Sequence, residues 1–109
     1  MRTSRNETLK RDNLIVDYLL NNKGSENVKT RHEIADFLTQ NGFATNPKAI
    51  NMILHKVIRE RHLPICSLNS KGYYWAKNKQ DILNCLKHLK SRVESINEHI
   101  ELLESFIIE

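Results

Sequence analysis

The chain has 109 residues, 39% of them apolar and 28% charged, with a net charge of +4. That length fits one small domain with an appendage. No apolar run approaches the ~20 residues that span a bilayer, and the charged start, Met1 to Asn13, has no apolar stretch behind it, so the sequence predicts a cytoplasmic protein without membrane contact.

Charge is unevenly spread. Residues 1–80 carry 14 Lys or Arg and 7 Asp or Glu, a surplus of +7, while residues 81–109 carry 3 and 6, a balance of −3. The basic part is the candidate polyanion binder. Two cysteines, Cys66 and Cys85, are too few for a disulfide framework and read as buried free thiols.

Residues 1–6 are polar and basic without periodicity. They read as a frayed terminus, although a basic arm of this kind also follows a DNA backbone. A first helix is predicted from about Glu7 to Asn21, with Leu14, Ile15, Tyr18 and Leu19 as its apolar stripe and Leu9 extending it upstream. The turn-formers between Asn21 and Asn27 end it. Val28 then stands alone as an apolar residue and is expected to form a short strand beside a later hairpin.

Thr30 opens the second helix. Thr30-Arg31-His32-Glu33 is a capping box, in which the hydroxyl reaches the third amide and Glu33 reaches back. Ile34, Ala35, Phe37 and Leu38 are its expected core residues, and Gly42 is placed to take the left-handed conformation after its last turn. Phe43-Ala44-Thr45 leads to Asn46, an N-cap followed by Pro47 at the first helical position. In the third helix Ala49, Ile50, Ile53, Leu54, Val57 and Ile58 form the inner face; Lys48, Asn51, His55, Arg59 and His62 form the outer one. Pro64 stops it. Two strands, Ile65 to Leu68 and Tyr73 to Ala76, follow with Asn69-Ser70-Lys71-Gly72 as the link. Alternation sends Tyr73 and Trp75 to one face and Tyr74 to the other, with core packing as their expected role.

Asn78 caps the last helix, which runs from about Lys79 to Phe106, ~40 Å at 1.5 Å per residue. Ile82, Leu86, Leu89, Val93, Ile96, Ile100, Leu103 and Ile107 step alternately by four and three, an unbroken heptad seam. Leu83 and Cys85 are expected to pack on the body. From Leu89 onward the seam needs a partner, and the simplest is a second copy, so Leu89, Val93, Ile96, Ile100, Leu103 and Ile107 are the predicted dimer contacts. Val93, Ile100 and Ile107 at one seam position favour a parallel pair, whereas Ile82 and Ile96 at the other weaken the case for only two strands.

The predicted fold is therefore mainly α with a small β-hairpin wing: a winged helix-turn-helix over residues 1–78, followed by a long C-terminal coiled-coil helix over residues 79–109. Lys48, Asn51 and His55 are placed to read base edges in a major groove, Arg59 and Arg31 to hold phosphates, and Lys71 to reach a flanking groove or backbone from the wing tip. His32, His55, His62 and Cys66 match no zinc spacing, and Gly-rich phosphate loops and nucleophile motifs are absent. No enzyme, metal or cofactor is predicted.

The segment LPICSLNSKGYYWAKNKQDI with a charged heptad helix behind it resembles small winged helix-turn-helix proteins of Gram-positive bacteriophages and prophages. The resemblance covers about Thr30 to Ile107 and rests on the Pro-Ile-Cys-Ser strand, the Gly-Tyr-Tyr return and the long helix. It implies a DNA-binding replication or regulatory factor, and the heptad seam adds the expectation that duplex DNA is bound as a dimer. The alternative is a phage-encoded protein-binding module that inhibits or redirects a host enzyme, since a fold does not fix a function.

Overall fold

The computed structural model describes residues 5–68 and 71–107. The turn residues Asn69 and Ser70, and residues 1–4 of the basic arm, lie outside them. Four helices and one hairpin follow in the order α1 (Arg5–Leu20), α2 (Arg31–Gln40), α3 (Pro47–Arg61), β1 (Ile65–Ser67), β2 (Tyr73–Trp75) and α4 (Lys79–Ser105). A single 3-10 turn, Ser25–Asn27, lies between α1 and α2.

The caps are those the sequence specifies. Thr30 Oγ1 accepts from the Glu33 amide at 3.0 Å, and Glu33 Oε1 accepts from the Thr30 amide at 3.2 Å. Asn46 Oδ1 accepts from the Ala49 amide at 2.9 Å, and Asn78 Oδ1 from the Asp81 amide at 2.9 Å. Each bond satisfies a first-turn donor that has no partner inside the helix. Gly42 takes φ +90°, as its position requires. The end of α3 differs from the expectation. His62 adopts the left-handed conformation (φ 54°, ψ 57°) and its amide donates to Ile58 O, so the helix is already closed two residues before Pro64.

Ile15 and Leu19 of α1, Ile34, Ala35 and Leu38 of α2, and Ile50, Ile53, Leu54 and Val57 of α3 make one core with Ile65 and Tyr73 of the hairpin. Tyr18 and Phe37 stack at its edge, centroids 4.1 Å apart. Two expected contacts do not form. Leu9 is exposed, about a quarter turn off the buried side of α1 set by Ile15 and Leu19, and Leu83 is exposed on the side of α4 opposite the buried Asp81.

β1 and β2 pair antiparallel with Ile65 opposite Trp75, Cys66 opposite Tyr74 and Ser67 opposite Tyr73. Alternation holds: Tyr73 and Trp75 belong to the main core, whereas Tyr74 joins Cys66 and Ala76 in a second cluster against Val28 and Cys85. The short strand expected at Val28 does not form; a single bridge stands at the next residue. Lys29 pairs antiparallel with Tyr73, amide to carbonyl in both directions at 2.8 and 2.9 Å. Gly72 (φ +138°) makes this approach feasible, because a Cβ there would stand 2.1 Å from Lys29 O.

The foot of α4 is fixed by Asp81, which is buried and accepts from the Lys77 amide at 3.1 Å. Cys85 packs against the second cluster as expected but, unlike Cys66, is only half-buried, where a buried thiol was expected. Beyond Cys85 every described residue of α4 is exposed. Among the described residues, no helix is long and apolar enough to cross a membrane.

Candidate nucleic-acid interface

Burial of Ile50, Ile53, Leu54 and Val57 fixes the rotation of α3 and so decides which side chains face outward. Lys48, Met52, His55 and Arg59 fall within about one sixth of the helix circumference at 3.6 residues per turn, and all four are exposed. Lys56 extends this face at one edge and is also exposed. The only acidic residue of α3 is Glu60, on the flank. Arg61 is committed to the fold, its Nη1 donating to Asn13 Oδ1 at 2.8 Å.

Asn51 occupies the other edge and is half-buried. Its Oδ1 accepts a hydrogen bond from the Tyr73 hydroxyl at 2.5 Å. An adenine contact uses both the oxygen and the nitrogen of an Asn side chain. Here the oxygen is engaged by the hairpin, and the amide N–H groups are the donors left for a ligand.

Arg31, exposed at the start of α2, belongs to the same neighbourhood. Burial raises the Tyr73 phenol above its ordinary value, and the nearby Arg31 charge opposes that rise. Arg31 thus lies within electrostatic reach of the Tyr73 phenol, which bonds Asn51. Lys71 is exposed where the hairpin turns, its amide donating to Leu68 O at 2.9 Å.

His55 and Arg59 also line a groove of about 300 Å³ between α3, the hairpin and α4, with Ile58, Tyr73, Cys85 and Leu89 among its walls. Cys66, just behind Cys85, is pushed up to about 12 by burial first and by its contact with Cys85 second. Both cysteines are free thiols. Outside the groove, Lys77 Nζ donates to Glu26 Oε1 at 2.6 Å, which lowers the Glu26 carboxyl and raises the Lys77 ammonium.

Two members of the outer face, Met52 and Lys56, are missing from the sequence reading. Both stand at helical spacing from Lys48, so the signal was present. Met52 is apolar in type yet 76% exposed, and only the observed rotation of α3 assigns it to the outside. Lys56 borders a second depression beside Thr45, Asn46 and Arg11. The Arg11 guanidinium is already held by the buried Asp12 at 3.0 Å.

The seam of α4 is open from end to end. Exposure rises from 44% at Leu89 through Val93, Ile96, Ile100 and Leu103, each about half exposed, to 81% at Ile107. Among the described residues no three His, Cys, Asp or Glu side chains converge on a metal-sized space. No family model, curated protein or solved structure matches the chain.

Proposed function

We propose that the protein binds duplex DNA as a winged helix-turn-helix dimer and serves a phage or prophage as a regulator or replication factor. The observation that carries this reading is the outer face of α3, where Lys48, His55, Lys56 and Arg59 are exposed without an intervening carboxylate. Lys48 and His55 meet base edges, Arg59, Lys56 and Arg31 neutralise phosphates, and Lys71 reaches the backbone beside the groove. Asn51, held at its oxygen by Tyr73, contributes a donor. The open seam from Leu89 to Ile107 joins two copies.

An NMR titration of the labelled protein with a duplex of random sequence tests the assignment. Amide shifts are expected in α3, at the start of α2 and around Lys71. Shifts confined to α4, or none at all, would contradict it.

A second reading, a protein-binding module acting on a host enzyme, draws on Met52, a large apolar side chain 76% exposed in the middle of that face. It predicts that Met52→Ala abolishes partner binding, whereas a DNA complex retains most of its affinity.

A further inference from the structure

The charges of α4 are sorted along its length. Its first half carries Lys79, Lys87, Lys90 and Arg92, and its single acid there, Asp81, is turned inward to the Lys77 amide. Its second half carries Glu94, Glu98, Glu101 and Glu104, with no Lys or Arg. A helix dipole favours the opposite order, acids at the start and cations at the end, and the last turn of α4 has no basic residue. The stability of an isolated helix therefore does not account for this arrangement.

An antiparallel partner does. Resting on the homodimer reading above, we propose that two copies pair through α4 in opposite directions, and that the end of each helix fills the groove between α3, the hairpin and α4 of the other copy. Antiparallel pairing sets each basic half against the partner's acidic half; parallel pairing would set like against like. The β-branched residues at one seam position bear on the number of strands in parallel coils; they do not choose direction by themselves.

The register follows from the seam. Ile82 meets the partner's Ile107, Leu86 the partner's Leu103, Leu89 the partner's Ile100 and Val93 the partner's Ile96. No seam residue is then left without a partner. Lys87 comes beside the partner's Glu104 and Lys90 beside the partner's Glu101.

The same register explains two apolar residues that a plain heptad leaves unused. Cys85, Arg92, His99 and Phe106 recur along one flank of the seam, and antiparallel helices meet flank to like flank. The partner's Phe106 thus comes against Cys85, which lines the groove together with Leu89, Ile58 and Tyr73. Leu102 lies one turn before Phe106 on the same side; the two are 57% and 66% exposed in the single chain. Ile58, Ile65, Tyr73, Cys85 and Leu89 make the lining of the groove largely apolar. The two bodies then sit at opposite ends of the paired helices.

Sedimentation velocity first establishes whether the full chain is a dimer. The unmodified protein is then treated with a water-soluble carbodiimide, which joins Lys to Glu without a spacer, and the linked peptides are mapped by mass spectrometry. The expected links run from Lys87 or Lys90 to Glu101 or Glu104. These residues lie at least ~16 Å apart along one helix, so only antiparallel copies bring them together. A nitroxide at Ser105→Cys in a Cys85→Ser background, on the outer side of the helix, should give a label separation of ~40 Å, against ~25 Å for parallel helices. Phe106→Ala should weaken dimerisation about tenfold; an unchanged dissociation constant would remove Phe106 from the groove. A dimer that lacks the long-range links and has close labels would overturn the direction and leave the homodimer standing. A monomer at all concentrations would overturn both.

Discussion

The hydroxyl of Tyr73 donates to Oδ1 of Asn51 across 2.5 Å and ties the hairpin to the flank of α3. The bond settles the orientation of the Asn51 amide before any ligand arrives. Tyr73→Phe should retain the fold at a loss of about 1 kcal/mol, the usual net value of one hydrogen bond. The Asn51 side chain would then be free to rotate, and discrimination between DNA sites should fall more than affinity for random duplex. Parallel titrations of a selected site and of random duplex check this.

Gly72 is where the hairpin meets the segment before α2. A methyl group there would collide with backbone at Lys29 O, and its φ of +138° is unfavourable for any other residue. Gly72→Ala should destabilise the protein by at least ~2 kcal/mol, read as a lowered urea midpoint. Protection of the Lys29 and Tyr73 amides from hydrogen exchange should be lost first. Gly42→Ala faces open space and strains only its own backbone, so its effect should be smaller.

The buried Cys66 thiol makes stability depend on alkaline pH. Its folded value, about 12, lies above the ordinary 9.0. The folded state therefore holds the proton more tightly, and the contribution is complete below pH ~9 and lost as pH rises from ~9 towards ~12. Tyr74 is raised too, by burial first, and adds loss of the same sign. Cys66→Ala should flatten the alkaline limb of a stability-against-pH curve. At neutral pH a thiol reagent should modify the partly exposed Cys85 well before Cys66.

The proposed contacts divide by role. Lys71→Ala should weaken binding to every sequence alike, because a lysine at the turn meets only backbone. Asn51→Ala should relax specificity at one base position by about 1–3 kcal/mol. Equal loss at all sequences for both variants would remove the distinction between them.

Much of the fold was legible because its signals are local. Thr30, Asn46 and Asn78 cap their helices through bonds spanning three residues, and the three-and-four spacing of Ile50, Ile53, Leu54 and Val57 marks the buried side of α3. Relations between distant segments were less visible. Periodicity places Leu9 and Leu83 on an apolar side but does not say whether anything stands opposite, and both are exposed. In place of the strand expected at Val28 there is a single bridge at Lys29, at the close approach that Gly72 allows. The sequence places Asn51 on the outer face, but its bond to Tyr73 joins residues 22 positions apart and leaves no local trace.

Fluorescence anisotropy of a labelled random duplex, across a salt series, tests the central claim most directly. DNA binding through α3 predicts an affinity whose logarithm falls linearly with the logarithm of salt, as each neutralised phosphate releases counterions. Lys48→Ala combined with Arg59→Ala should reduce that slope by roughly two. Absence of binding at low salt, or a slope unchanged in the double variant, would contradict the assignment of α3 as the DNA-binding face.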